Sequence, residues 1–363
     1  MTTTTWSIRE EITDRDSSKN ALGKARNDIY HILKELGCQE TVIRHPKDAR
    51  HEAGTIQKAI YHFTEAKKWK AKTTLFQEGD AVIIQYPPIN HTVLFSSVVK
   101  MWNRIGVRSV AFIHDLELIR HAADKESRLR KRVRIWLEET SVIRKFDYIV
   151  VHNERMKEYL CDRHSIAQDK VLCLDIFDYL SDISSTMGQS DTDSAEVVIA
   201  GNLSPGKAGY VYKLPAKPSF NLYGANYKEY YQSNVSYRGA FEADELIGSL
   251  KGKYGLIWDG NSPDTCGGVY GHYLMYNNPH KTSLYLAAGI PVLIWEGAAM
   301  AAFVKNNQCG FVIRSLKQIE EVINSVSPEQ YEEAKRNAIR IGNQLRQGKY
   351  TRRIIDRMQL LSV

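Results

Sequence analysis

The sequence predicts an α/β fold of two doubly wound, Rossmann-like domains, and three observations carry that expectation. The chain has 363 residues, which suits about two domains of ~150–200 residues better than one core. Short apolar runs of strand length alternate twice over with amphipathic helical segments, the order expected of a parallel sheet with helices on both faces. Midway, the polar stretch SDISSTMGQSDTDSAE interrupts the alternation and offers little that could enter a core. The expected organisation is a first domain over residues 1–180, a linker or mobile loop over 181–196, a second domain over 197–340 and a closing helix over 341–363.

In the first half, Thr5 to Arg9 is a weakly patterned first strand, followed by a polar loop to Asn20. A helix runs from Ala21 to Leu36, with Ile29, Ile32, Leu33 and Leu36 at helical spacing and Gly37 as its stop. A second helix covers Ala53 to Ala71. DAVIIQYPP (Asp80 to Pro88) is a buried strand ended by two prolines, Asn90 to Ile105 is helical, and VRSVAFIHD (Val107 to Asp115) is another buried strand. A basic helix then runs to about Lys145, with Leu129, Val133, Trp136 and Leu137 expected on its inner face. DYIVVHN (Asp147 to Asn153) is a strand and Glu154 to Arg163 a short helix.

The second half repeats the rhythm. EVVIAGNL, Ser219 to Tyr223 and NVSYRGAF are strands, Asp244 to Leu250 is helical, and YGLIWDG (Tyr254 to Gly260) is again a strand. YNNPHKTSLYLAAGIPVLIWEG (Tyr276 to Gly297) reads as loop, helix, turn and strand. Asn278 suits an N-cap, and Pro279 suits the first helical position, where its missing N–H costs nothing. Gly289 and Pro291 end that helix, and Val292 to Trp295 form a buried strand. Gly310 to Ile313, a helix from Leu316 and one or two long helices over Pro328 to Val363 complete the chain, the last carrying Lys349, Arg352 and Arg353.

Composition narrows the function classes. Hydrophobic content of 43% and charged content of 25% are those of a soluble globular protein. No run approaches the ~18 apolar residues of a membrane span, and MTTTTWSIREE lacks the basic-then-apolar pattern of a secretory signal. Five scattered cysteines without paired spacing read as reduced thiols, not a disulfide frame or zinc site. A cytoplasmic protein is therefore expected. The net charge of +7 is concentrated between Lys125 and Arg134, where Arg128, Arg130, Lys131 and Arg132 lie. That run reads either as a solvated helix face or as a surface for an anionic partner, such as phospholipid headgroups at the inner face of the membrane or an acceptor's diphosphate. It lacks the interleaved aromatic residues of a nucleic-acid binder.

Ligands of open α/β sheets sit outside the carboxyl ends of the strands, so the loops after strands are where chemistry is sought. Ser17 to Ala21 could meet phosphate or sugar hydroxyls, although Asn20 as a plain N-cap explains it equally well. FIHD ends a strand with His114 and Asp115; a carboxylate there can take a proton from an attacking hydroxyl, with His114 as the alternative base, or both residues simply cap the next helix. AGNLSPGKAGY brings Asn202 and Lys207 into a glycine-containing loop whose backbone can approach phosphate, although it is not a Walker loop. Trp258 and Asp259 end another strand and share a side of the second domain with Asn277, Asn278, His280, Lys281 and Thr282. A lysine in a helix's first turn opposes the dipole, a local cost that an anion such as a nucleotide diphosphate would offset. Asp-x-Asp occurs only in the polar stretches at 14–16 and 191–193, neither of the kind that holds a catalytic metal between phosphates, so no metal or other cofactor is expected.

At these residues the chain resembles the GT-B glycosyltransferases, in particular the bacterial group of streptococcal glucosyltransferases that extend adhesin-linked GlcNAc, and related β-galactofuranosyltransferases. The motifs carrying the resemblance are FIHD at 112–115, AGNL with Lys207, Tyr237-Arg238-Gly239, YGLIWDG at 254–260, HKTSLYLAAGIPVLIWEG at 280–297 and YTRRII at 350–355. The resemblance spans nearly the whole chain. It implies a GT-B fold with two domains facing a cleft and a C-terminal helix crossing back to the first domain. It further implies that Lys281 and the backbone from Asn278 to Thr282 bind the diphosphate of UDP, that Lys207 assists, and that a small polar residue before the first helix falls at Asn20 or Ala21. The implied chemistry is inversion at the anomeric carbon with Asp115 as the single base, without a metal, moving galactofuranose or glucose from a UDP-hexose to a glycan or lipid-linked acceptor. A non-catalytic partner of another transferase, with the same fold but without donor binding, is the competing reading, and a homo-oligomer is compatible with either.

Overall fold

Apolar strands that bury both faces require helices above and below them, and each half of the chain builds one such sheet. The computed structural model describes residues 3–13, 21–46, 54–121, 129–182 and 195–360. The chain forms two units, each discontinuous in sequence. The first gathers the N-terminal strand, Ile29–Leu174 and the chain from Thr351 onward; the second gathers the chain up to Asp28 in the first helix together with Asp175–Tyr350.

The elements of the first unit follow in order: β1 (Thr5–Ile12), α1 (Ala21–Glu35), β2 (Gln39–His45), α2 (Thr55–Ala71), β3 (Ala81–Tyr86), α3 (Phe95–Arg104), β4 (Arg108–Ile113), α4 (Glu117–Arg120) and α5 (Leu129–Ile135). A π-helical turn (Trp136–Thr140) leads into α6 (Ser141–Ile143), β5 (Tyr148–Val151), α7 (Glu154–His164) and β6 (Val171–Cys173). The sheet order is β2-β1-β3-β4-β5-β6, all parallel. Every residue of β3 is buried, the polar Gln85 included. Beside it Trp69 meets Phe95 edge-on, with ring centroids 4.8 Å apart.

Several expectations need correction. β2 and β6 are additional strands: QETVIRH carries charge because it is an edge strand with one face toward solvent, and β6 has only three residues. β1 extends to Ile12, and α3 begins only at Phe95 because the loop before it is held by Asn90 to the Pro46 carbonyl and Thr92 to the His62 carbonyl. The basic helix turns the opposite way to the expected one. Leu129, Val133 and Trp136 are 75%, 49% and 53% exposed, while Ile135, Glu138, Glu139, Val142 and Ile143 point inward. The inward residues themselves follow helical spacing, but two of the five are glutamates, so a search for apolar residues settles on the other face.

The ends of β1 and β2 carry a buried ionic cluster. His45 is fully buried, with Nε2 3.1 Å from Glu10 Oε1 and Nδ1 2.6 Å from Glu65 Oε2, and Lys68 reaches Glu65 at 2.7 Å. Burial alone would lower the imidazole pKa, but hydrogen bonds and charge from Glu10 and Glu65 outweigh it and raise it from 6.5 to about 9. A pKa raised in the folded state gives stability that is complete below about pH 6.5 and lost as pH rises through about 9. Unfolding free energy is expected to fall across that window in the native protein and not in His45→Gln; denaturant titrations with parallel pH slopes would overturn this.

The second unit runs β7 (Ala195–Ala200), α8 (Pro205–Ala208), β8 (Phe220–Tyr223), β9 (Val235–Tyr237), α9 (Ala243–Ser249), β10 (Gly252–Ile257), α10 (Gly268–Tyr273) and α11 (His280–Ala287). β11 (Val292–Trp295), α12 (Met300–Asn306), β12 (Gly310–Ile313), α13 (Ile319–Ser325) and α14 (Pro328–Arg346) follow. Its parallel sheet has the order β12-β11-β10-β7-β8-β9. NVSYRGAF contributes only the three residues of β9 to it. Most of the polar stretch 181–196 lies outside the described residues.

Two contacts lock this unit. Gly342 of α14 lies against α11 so closely that a Cβ would sit 2.2 Å from the Leu286 carbonyl oxygen, and Arg346 donates to the Ala287 carbonyl. Lys24 of α1 donates to Asp28 Oδ1 at 2.8 Å and the Leu180 carbonyl at 2.7 Å, pairs with Asp244 at 2.9 Å, and lies 5.2 Å from the centre of the Tyr179 ring. α14 is capped by Ser327 and stops before Gly348, whose φ of 68° suits a helix end. α15 (Lys349–Met358) then carries the chain into the first unit, where Arg352 pairs with Glu35 and Thr5 donates to the Leu360 carbonyl.

Candidate active site

In the second unit, the loops after β7, β8 and β10 and the start of α11 converge at the carboxyl side of the sheet. The first two loops touch through backbone: Gly201 N–H donates to the Tyr223 carbonyl at 2.9 Å. Gly224, at φ 144°, has no room for a side chain, because a Cβ would fall 1.7 Å from the Gly201 carbonyl oxygen. The β7 and β10 loops are stitched by Gly260 N–H to the Lys207 carbonyl at 2.9 Å and Tyr210 N–H to the Gly260 carbonyl at 3.2 Å. This places Lys207 beside the Trp-Asp-Gly turn, with its ammonium 5.6 Å from the Tyr270 ring centre. α11 is tied to the same strands, since Tyr285 hydroxyl accepts from Ala200 N–H at 2.7 Å.

Lys281 donates to the Trp258 carbonyl at 2.9 Å and to Asp259 Oδ1 at 2.8 Å. The negative charge that offsets its position in the first turn is therefore already Asp259, a correction to the expectation that an external anion supplies it. An ammonium has three N–H donors, so one remains for a ligand. The helix also starts one residue later than read. Pro279 is the cap, and Asn278 does not cap the helix with its side chain, which donates to the Asp175 carbonyl at 3.0 Å. Phe177 and Tyr179 contact the ring of His280, and burial lowers its pKa to about 4, so it is neutral near pH 7.

Shielded Asn277 Oδ1, His280 Nε2 and Thr282 Oγ1 have no hydrogen-bond partner among the described residues. A buried polar atom left unpaired costs about 1–3 kcal/mol, so three of them at one helix start mark a place where a polar ligand gains. Asn202 Oδ1 accepts from Ser204 N–H at 3.0 Å and from Asn226 at 3.2 Å. Tyr237 donates to the Gly224 carbonyl and stacks on Tyr227 at 4.8 Å, which stacks on Tyr212 at 5.8 Å. Tyr212, Tyr227 and Tyr285 escaped the sequence reading; clustered loop tyrosines were the available signal for the first two.

In the first unit, His114 and Asp115 follow β4. His114 is buried, with Nε2 2.6 Å from Gln85 Oε1. Asp115 is only half-buried, and Oδ1 accepts from Arg120 Nη2 at 2.6 Å. Nearby, His152 Nε2 donates to the Ile113 carbonyl at 3.1 Å; burial lowers its pKa to about 4 although the Asp115 charge opposes this. Glu139 accepts from the N–H groups of Glu117 and Leu118 at 2.7 and 2.8 Å. Burial pushes its carboxyl up to about 8 against those two N–H groups. Arg134 links Glu117 and Glu138, each at 3.0 Å.

Asn20 and Arg128 lie outside the described residues, as does the side chain of Arg130. Lys131 is 3.2 Å from His121 Nδ1, and Arg132 is exposed. All five cysteines are free. Among the described residues no helix is long and apolar enough to cross a membrane.

Two protein-family models match the chain: the N-terminal domain of glucosyltransferase 3-like proteins over residues 9–176 and their C-terminal domain over residues 197–358. The chain is 34% identical over 285 residues to the β-1,6-galactofuranosyltransferase WbbI of Escherichia coli K12, covering 77% of this chain and 79% of WbbI. It is 23% identical over 336 residues to glucosyltransferase 3 of Streptococcus gordonii, covering 91% and 92%. Among solved structures, Anabaena HepE in complex with UDP superposes with a TM-score of 0.57 at 13% identity, covering 99% of this chain and 100% of HepE.

Proposed function

This chain belongs to the glucosyltransferase 3-like family of GT-B glycosyltransferases, and we propose that it is an inverting, metal-independent enzyme with a UDP-sugar donor. The sugar moved is galactofuranose or glucose, by likeness to WbbI and glucosyltransferase 3. The acceptor is a sugar hydroxyl of a surface glycan or lipid-linked oligosaccharide. The observation that carries the reading is the start of α11, where Lys281 keeps one N–H free beside three shielded, unpartnered polar atoms.

In the proposed reaction the Asp115 carboxylate takes the proton of the acceptor hydroxyl, whose oxygen bonds to the anomeric carbon from the face opposite UDP. The bond from that carbon to the diphosphate oxygen breaks, and UDP leaves with the electron pair. Lys281, Lys207 and the open N–H groups of α11 stabilise the charge that grows on the diphosphate. Assaying UDP release across a panel of UDP-sugars, with and without EDTA, tests this, together with product anomeric configuration by NMR. Transfer with inversion that is insensitive to EDTA is expected. Retention, or loss in EDTA restored by Mg²⁺ or Mn²⁺, would overturn the corresponding part. Absence of UDP binding by calorimetry would favour the non-catalytic partner.

We also propose that α5 meets an anionic membrane surface. Exposed Leu129, Val133 and Trp136 alternate with basic residues, the pattern of a helix lying in a lipid interface. Trp136→Glu is expected to weaken co-sedimentation with phosphatidylglycerol vesicles; equal binding of both proteins would remove this contact.

A further inference from the structure

The catalytic carboxylate of the proposed reaction is followed by an element that cannot hold its own shape. α4 has four residues, its N-cap Leu116 offers no side-chain acceptor, and a helix this short does not persist alone. Its two leading N–H groups, on Glu117 and Leu118, are both taken by the Glu139 carboxyl group, one on each oxygen. Glu139 stands on the π turn next to Glu138, and both glutamates are buried. Glu138 is joined through Arg134 to the Glu117 side chain, so the π turn grips α4 by its backbone and by one ion-paired side chain. At the far end of α4, Arg120 donates to Asp115. A chain of direct contacts therefore runs from Glu139 through α4 and Arg120 to Asp115.

From this we infer that Glu139 is a positioning residue: it caps α4 and so fixes Arg120 and, through it, the Asp115 carboxylate. The inference rests on the reading of Asp115 as the base. Single-carboxylate chemistry depends on where the oxygen points, and displacement by about 1 Å costs on the order of 10²-fold in rate.

The test is a double-mutant cycle of Glu139→Gln with Asp115→Asn, measured in the full chain with its UDP-sugar donor and acceptor. Glutamine keeps one acceptor oxygen and turns the other into an N–H donor, so one of the two backbone bonds is lost. Glu139→Gln is expected to lower kcat about 10- to 100-fold. The donor KM and UDP affinity should stay unchanged. In the Asp115→Asn background it should lower kcat no further, because a residue acting through Asp115 has nothing left to position. Losses that multiply, or UDP affinity falling in parallel with kcat, would overturn the inference by making Glu139 a general structural residue. Unchanged activity of Glu139→Gln beside a crippled Asp115→Asn would overturn it alone, whereas a fully active Asp115→Asn would sink the base assignment itself. Glu139→Asp keeps both carboxyl oxygens but draws them back by one methylene. It gives the same separation of kcat from KM if the glutamine variant folds poorly.

Discussion

Replacing Lys281 with alanine is expected to lower kcat/KM for the donor by about 10²- to 10³-fold, the scale of losing one preorganised charge at a developing oxyanion. UDP affinity should fall as well, because the same N–H meets the diphosphate before and after transfer. The ion pair complicates the readout. Removing the lysine leaves Asp259 buried without its cation, and breaking a buried pair costs about 3–5 kcal/mol of stability. The double variant Lys281→Met, Asp259→Asn removes both charges and should regain most of that stability while still binding UDP weakly. Native-like UDP affinity by calorimetry in the double variant would remove the diphosphate assignment.

Asp115→Asn is expected to lower kcat by about 10²- to 10⁴-fold, the usual worth of a positioned general base, with UDP affinity little altered. The amide keeps the shape but cannot take the acceptor's proton. Arg120 retains an oxygen to donate to, so the fold should survive; the half-exposed position makes collapse of the core an unnecessary explanation. The competing base is His114. Its imidazole is buried and engaged with Gln85, so His114→Gln should reduce turnover less than Asp115→Asn. The reverse ranking of the two variants would transfer the role of base to the histidine.

The central strands were readable because they bury both faces and so need continuous apolar runs, as in YIVV and VLIW. β2 was missed for the converse reason: an edge strand with solvent on one side can carry Gln39, Glu40 and Arg44. The helix start at residues 278–282 was found from its proline and its position after a strand. What Asn278 does there was not legible, because its partner, the Asp175 carbonyl, lies 103 residues away. Asp259 and Lys281 were expected on one side of the second domain, but their direct ion pair was not legible, because side-chain reach across two loops is set only by the fold. The inner face of the basic helix was hidden for a different reason: it includes Glu138 and Glu139, whose burial depends on Arg134 and on the N–H groups of α4, so the apolar pattern points to the opposite face.

The interleaving of the two units in the chain bears on how the protein can be made or divided. Thr5 donates to a carbonyl 355 residues further on, so the first unit lacks its closing contact until nearly all of that stretch has left the ribosome. The second unit takes Lys24 from upstream, and the groups that Lys24 holds at Leu180 and Asp244 are translated long after it. A fragment cut at 197–358, the span of the C-terminal family model, would leave out Lys24, Tyr179 and Leu180, and would retain a segment that packs in the first unit. Such a fragment should be poorly soluble when produced alone, and co-expressing the missing N-terminal portion as a separate chain should restore it.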